Sequence, residues 1–219
     1  MIGNILFDLD GLMVDSEHAA YEVLSSIYRK YGYELTLKDY ARIIGLNTEG
    51  YRRVMDEIFP DHELNMKCDS EFEEPFHKIL DEGRIPAKPG LKELVDYCDR
   101  NGIKCAVVSS SGLPRILKSL EGTGVLGSIS AIVNGQEVTH GKPHPEPFLR
   151  GAEKLGVRPD ECLVLEDSCA GIDSAHAAGI PVICIPDFSY PDEEHVRKCA
   201  AVLKDLSEVI GWLENNKEK

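Results

Sequence analysis

At 219 residues, with 42% hydrophobic and 28% charged side chains, the chain is sized for one large domain or two modest ones with a real core. Its 24 Lys and Arg face 38 Asp and Glu, a net charge of −14, and no basic run is longer than the pair Arg52-Arg53. That balance excludes nucleic acid and anionic membranes as expected partners, since both are polyanions.

In chain order, the first short apolar run, 4–8, is of a length and type that suits a buried parallel strand. Residues 16–83 then read as helices only. Ala20, Val23, Leu24, Ile27, Tyr28 and Tyr31 make one apolar stripe that stops at Gly32, and Thr36 with Asp39 has the form of a capping box. Further helix is expected over 51–59 and 63–80, with the acids at 71, 73 and 74 on a solvated face. A Gly- and Pro-bearing stretch, 83–90, has the composition of a linker.

Beyond it, apolar runs at 104–109, 129–133, 162–166 and 182–185 alternate with helical patterns. Leu91, Leu94, Val95 and Cys98 recur at helical spacing and Gly102 follows as a stop. Phe148, Ala152 and Leu155 repeat the pattern before Gly156, and a third helix is expected between Ser168 and Gly179. This alternation predicts an open parallel α/β sheet, with an all-helical insertion after the first strand. Trp212 is expected on a C-terminal helix, packed into the core.

No apolar run approaches the ~20 residues of a membrane span, and no signal-peptide pattern opens the chain, so a cytoplasmic location is expected. The seven cysteines form no C-x-x-C pair and are expected to be buried free thiols.

Ligands bind beyond the carboxyl ends of strands in such sheets, and chemistry-bearing residues stand at four of those ends. Asp8 and Asp10 close the first run in Phe7-Asp8-Leu9-Asp10-Gly11; the pair can hold a hard cation and divide the work of nucleophile and general acid/base, or can be an ordinary acidic turn. Ser109 and Ser110, in a Ser-Ser-Ser-Gly turn, can cradle phosphate oxygens, although most serine runs are plain loops. A lone lysine is usually a solvated surface charge, but Lys142, on a backbone fixed between Gly141 and Pro143, can aim a point charge at a phosphate. Glu166 and Asp167 precede a helix, where acids are favoured by the dipole; opposite Asp8 and Asp10 they would complete an oxygen cage suited to Mg²⁺. His140 and His144 have an H-x₃-H spacing, but Pro143 and Pro145 break any helix that would present both, and they read as loop residues rather than metal ligands. Ser16, Glu17 and His18 stand at the entrance of the insertion, where substrate contact and a simple helix start are equally consistent.

With Asp8-x-Asp10, Ser109, Lys142 and Glu166-Asp167 in this order, and with DLDGLMVDSE, VVSSSG, GKPHPEPF and LEDSCAGIDSAHAAG around them, the chain resembles the haloacid dehalogenase superfamily over its whole length. The nearest resemblance is to the group of β-phosphoglucomutases and small sugar-phosphate or nucleotide phosphatases. It implies a Rossmann-like open parallel sheet core, 1–15 with 84–219, and an inserted helical cap, 16–83. It further implies an aspartyl-phosphate on Asp8, Asp10 as acid and then base, Ser109, Ser110 and Lys142 on the phosphoryl oxygens, and Mg²⁺ held by Asp8, the carbonyl of Asp10 and Asp167, with Glu166 beside or on it. The presence of Asp10 favours phosphate esters over the carbon–halogen and carbon–phosphorus substrates of other members.

A phosphatase of a small phosphorylated metabolite, acting as a monomer, is the expectation. A phosphomutase would need a cap cation for a second phosphate; the matching stretch reads Gly45-Leu46-Asn47-Thr48-Glu49, with Thr48 in the arginine's place, and residues 16–83 carry 8 Lys and Arg against 15 Asp and Glu. A catalytically silent sensor of phosphorylated metabolites is the alternative from another class, against which the intact nucleophile counts.

Overall fold

In the computed structural model, residues 2–44 and 48–216 are described. The Gly45–Asn47 part of the stretch singled out for the mutase question lies outside them.

The chain divides into two units, Met1–Asp15 with Pro86–Lys219, and Ser16–Ile85. In the first, Asn4–Phe7 (β1) is buried at every position. The second unit contributes α1 (Ser16–Lys30), α2 (Leu37–Tyr40), α3 (Thr48–Ile58), α4 (His62–Ser70) and α5 (Glu73–Asp81). The first then resumes with α6 (Leu91–Asn101), β2 (Lys104–Val108), α7 (Leu113–Thr123), β3 (Ile129–Val133), α8 (Glu146–Leu155) and β4 (Cys162–Glu166). It ends with α9 (Cys169–Ala177), β5 (Val182–Cys184), α10 (Glu193–Lys198), β6 (Ala201–Val202) and α11 (Ser207–Asn215).

The six strands are all parallel, in the order β3-β2-β1-β4-β5-β6. The open parallel α/β sheet expected from the alternation is therefore present, with one strand more than the sequence announced. β6 has only two residues, too few to leave an apolar run. Leu6 lies in register with Ala106 on one side and Val164 on the other, and all three join Val108, Phe148, Ala152, Ile172 and Ala175 in one buried cluster. Of the helical stripes read from sequence, Phe148, Ala152 and Leu155 on α8 belong to this cluster, while Leu91, Leu94, Val95 and Cys98 are buried on α6. Gly102 and Gly156 follow their helices in the left-handed region. Trp212 is only half-buried; on α11 it is Val209 and Leu213 that fill the core.

In the helical unit, α1 buries Val23, Leu24, Ile27 and Tyr28, and the Thr36–Asp39 capping box forms with both reciprocal hydrogen bonds. The expected helix over 63–80 is two helices, α4 and α5. Pro75 explains the break: a continuous helix would need its missing N–H and would drive its ring into the carbonyl four residues earlier. Glu73 and Glu74 are exposed, whereas Glu71 is half-buried and accepts a hydrogen bond from the Tyr31 hydroxyl. The unit's polar core is Asn65, which accepts from the Tyr28 hydroxyl (2.9 Å) and donates to Asp56 (2.8 Å) and the Phe59 carbonyl (2.9 Å). All seven cysteines are free, five of them buried and Cys169 and Cys199 half-buried. Among the described residues no helix is long and apolar enough to cross a membrane.

Candidate active site

The strand order reverses between β1 and β4, and a crevice at such a switch point is where open α/β sheets bind ligands. Because the strands are parallel, each delivers its last residue to the same edge. Asp8 follows β1 directly, its N–H donating to the Leu165 carbonyl (3.0 Å) as the last rung of that ladder. Glu166 is the final residue of β4, and Ser109 follows β2 with its N–H on the Val133 carbonyl (3.0 Å).

Lys142 comes to the same point from the turn before α8. Its ammonium donates to Asp8 Oδ1, to Glu166 Oε1 (2.5 Å) and to the Val108 carbonyl (3.2 Å), so each of its three N–H bonds has an acceptor. Glu166 is wholly buried; its other oxygen accepts from the backbone N–H of Asp167 (3.0 Å) and Ser168 (2.9 Å) and from the Ser168 hydroxyl (2.9 Å). The Ser168 hydroxyl in turn caps α9 by accepting from the Gly171 N–H (3.1 Å). Glu166 thus spends its carboxylate on binding Lys142 to the start of α9.

Asp10 takes a different set of partners. The turn after β1 closes with Gly11 N–H on the Val14 carbonyl (3.0 Å), and Gly11 adopts φ +83°. Asp10 Oδ2 then accepts from the Ser111 hydroxyl (2.8 Å) and Oδ1 from Arg115 Nη2 (2.9 Å). Ser109 is buried, with its hydroxyl oxygen accepting the Ser111 N–H (3.0 Å). Ser110 is exposed, and Gly135 comes close to its backbone: a Cβ on Gly135 would stand 2.2 Å from the Ser110 carbonyl oxygen. Asp8, Lys142 and Glu166 therefore form one directly bonded group, Asp10 a second beside it with Ser111 and Arg115, while Ser110 shares only their loop.

The electrostatics are those of crowded carboxylates. Burial pushes the Asp8 carboxyl up to about 7; Lys142 opposes the rise, and Glu166 and Asp10 add to it. Burial also raises the Asp167 carboxyl well above its ordinary value, with Glu166 and Asp8 pushing the same way. Burial works against charge on Lys142, but the Asp8 and Glu166 carboxylates outweigh it and hold the ammonium above its usual range. One ammonium bonds two buried carboxylates, Asp8 and Glu166, with the half-buried Asp167 next in the chain, and Asp8 and Asp167 resist ionisation. The arrangement fits a hard divalent cation, which takes all-oxygen ligands and would supply the missing positive charge. The backbone agrees: a Cβ on Gly11 would lie 2.4 Å from Asp167 Oδ2, so only a glycine lets the turn after β1 approach that carboxylate.

Three side chains here were not found by sequence reasoning. Arg115 carries no signal, since an arginine in the first turns of a helix reads as a surface charge. Asp187 and Lys88 pair at 2.7 Å, and the second oxygen of Asp187 is buried without a hydrogen-bond partner among the described residues. Asp187 stands three residues past β5, at the same sheet edge as the others, so the rule that located Asp8 would have located it too.

A family model described as haloacid dehalogenase-like hydrolase matches residues 5–185. The phosphorylated carbohydrates phosphatase of Thermotoga maritima is 30% identical over 202 residues, which are 90% of this chain and 91% of that protein. Hexitol phosphatase A of Escherichia coli is 31% identical over 180 residues, 82% of this chain and 81% of its own. Among solved structures, a HAD family hydrolase from Deinococcus radiodurans with bound phosphate and sodium superposes with a TM-score of 0.82 at 25% identity, covering 97% of this chain and 96% of that one. The chain belongs to the haloacid dehalogenase-like hydrolases. The two curated relatives just named are phosphatases of phosphorylated carbohydrates or hexitols.

Proposed function

We propose that this protein is a Mg²⁺-dependent phosphatase of a small phosphate monoester, a sugar phosphate, sugar alcohol phosphate or nucleotide, working through an aspartyl-phosphate on Asp8. The observation that carries the reading is the Lys142 ammonium bonded to both Asp8 and Glu166 at the switch point of the sheet. An anionic nucleophile approaches an anionic phosphate only where fixed positive charge offsets the repulsion, and Lys142 supplies it beside the attacking oxygen.

In this mechanism a carboxylate oxygen of Asp8 attacks phosphorus and the bond to the leaving oxygen breaks. Asp10, held by Ser111 and Arg115, gives that oxygen its proton. Asp10 then takes a proton from a water molecule whose oxygen attacks the phosphorus of the acyl phosphate, releasing phosphate and restoring Asp8. Lys142 and Ser109 hold the phosphoryl oxygens, with Ser110 contributing from its backbone. Mg²⁺, held by Asp8, the Asp10 carbonyl and Asp167, would offset the charge on those oxygens when bound. Glu166 enters as the support of Lys142, since its oxygens already accept four hydrogen bonds.

The phosphatase names of the curated relatives support hydrolysis over isomerisation. The test is phosphate release from a panel of sugar phosphates, sugar alcohol phosphates and nucleotides with Mg²⁺, alongside β-glucose 1-phosphate with a bisphosphate primer. Metal-dependent release that is lost in Asp8→Asn is the expected result. Isomerisation without release would make the protein a mutase, and binding without turnover would make it a sensor.

A further inference from the structure

The turn that carries Lys142 also brings together three side chains the mechanism does not use. His140 and His144 flank that lysine in the chain and both are exposed, while Glu146 opens α8 and is half-buried. One ligand atom from each of the three lies within 4.8 Å of the others. His140 Nδ1 is 3.2 Å from Glu146 Oε2, His144 Nδ1 is 3.9 Å from the same oxygen, and the imidazole rings lie 4.6 Å apart between centroids. Ligands about 2.0–2.2 Å from a tetrahedral Zn²⁺ stand about 3.4 Å from one another, and the two measured separations bracket that edge.

The group is also fixed in place. Glu146 Oε1 accepts the Thr139 N–H (2.7 Å) and Oε2 the His140 N–H (2.9 Å). The His144 carbonyl accepts the Ser174 hydroxyl (2.7 Å), and the His144 N–H donates to the Gly141 carbonyl (3.0 Å). A cleft of about 550 Å³, lined by His144, Glu146, Glu137 and Glu153 among others, leaves room for a further ligand. An imidazole pair with one carboxylate suits zinc and its neighbours, whereas Mg²⁺ prefers the all-oxygen set around Asp8. The prolines that exclude a helix here do not exclude a site, because a turn joined to the first residue of α8 brings the three groups together without one.

We propose that His140, His144 and Glu146 form a second cation site, selective for a divalent transition metal of the zinc type. Bound metal would tie both ends of the Gly141-Lys142-Pro143 turn to α8. The inference does not depend on the phosphatase reading.

The test is calorimetric titration of the full chain with Zn²⁺ in excess Mg²⁺, added to compete for the oxygen-lined site around Asp8, together with Cu²⁺ electron paramagnetic resonance. One zinc per chain is expected, with affinity falling about tenfold or more in His140→Ala and in His144→Ala, the scale of change that even indirect support of a metal ligand produces. The Cu²⁺ spectrum should show coupling to imidazole nitrogen, which the carboxylates around Asp8 cannot supply, and the double variant should lose it. Unchanged zinc affinity in the double variant, or a copper spectrum without nitrogen coupling, overturns the proposal. Both histidines are exposed, so the variants should melt with the parent in metal-free buffer, and a Tm rise on adding Zn²⁺ should be confined to the parent.

Discussion

Arg115 holds Asp10: its Nη2 donates to Oδ1 at 2.9 Å, while the Ser111 hydroxyl takes Oδ2 at 2.8 Å. The two acids of the Asp8-x-Asp10 motif are thereby separated by partner. Asp8 belongs to the lysine and Asp10 to the arginine, so the two can differ in role although they are two residues apart.

Replacing the arginine should therefore disturb the proton-transfer residue and leave the nucleophile's own partner in place. Arg115→Met is expected to lower kcat about 10- to 100-fold, part of the contribution a positioned acid/base makes, with KM little changed. A rise in KM with kcat preserved would show instead that Arg115 binds substrate phosphate.

Glu166→Gln tests the support of Lys142. Both carboxylate oxygens accept, one from the ammonium and one from three donors on residues 167 and 168, so the amide must turn an N–H₂ towards a donor whichever way it lies. A buried ammonium that loses one of its two carboxylate partners is destabilised; about 3 kcal/mol is expected, read as a drop of roughly 6–12 °C in Tm for a chain of this size. Equal melting of Glu166→Gln and the parent would show that the four hydrogen bonds are not what secures the lysine.

The sequence made the sheet legible because parallel strands buried on both faces need uninterrupted apolar runs, and those at Leu6, Val107 and Val164 are of that kind. It made the positions of Asp8, Ser109, Lys142 and Glu166 legible because the chain must turn at the end of each strand, and the turns carry unusual residues. It did not show which partner each would take. Arg115 reaches Asp10 across about a hundred residues of chain, and no local pattern records a contact that distant. The split of the 63–80 helix had a visible cause in Pro75. The grouping of His140, His144 and Glu146 was hidden for another reason: helical spacing is only one way to juxtapose ligands, and here backbone donors to Glu146 do it.

Gly171 marks how closely α9 is drawn onto the site. A Cβ there would lie 1.8 Å from Glu166 Cδ and Oε1, so Gly171→Ala must push the carboxylate off Lys142 or lift the helix start. The expected cost is at least the roughly 1–3 kcal/mol of ordinary overpacking, with activity lost at temperatures where the variant is still folded. Gly127→Ala, where a Cβ meets nothing within 4 Å, is the matched control and should leave both properties within error. Retained activity in Gly171→Ala would mean that Glu166 can move without disturbing Lys142.

A pH dependence of stability should arise away from the site, at His195. Its Nδ1 lies 2.7 Å from Asp192 Oδ1, and its Nε2 lies 3.5 Å from Asp173 Oδ2. The Asp192 hydrogen bond raises the imidazole above its ordinary value of about 6.5; burial opposes this, the charges of Asp192 and Asp173 assist it, and Lys198 works against it. A raised folded-state value means the folded protein binds the proton more tightly than the unfolded chain. The stability so gained is fully present below the unfolded value and is lost as the pH climbs through the folded one. Both carboxyls are themselves held below their usual range, Asp192 chiefly by the His195 backbone N–H and Asp173 chiefly by Lys198, so they remain ionised in mild acid. The gap in Tm between the parent and His195→Gln should accordingly be widest near pH 5.5 and shrink towards pH 9. A gap that stays constant across that range would show that His195 contributes through packing and neutral hydrogen bonding, and that its proton carries no part of the stability.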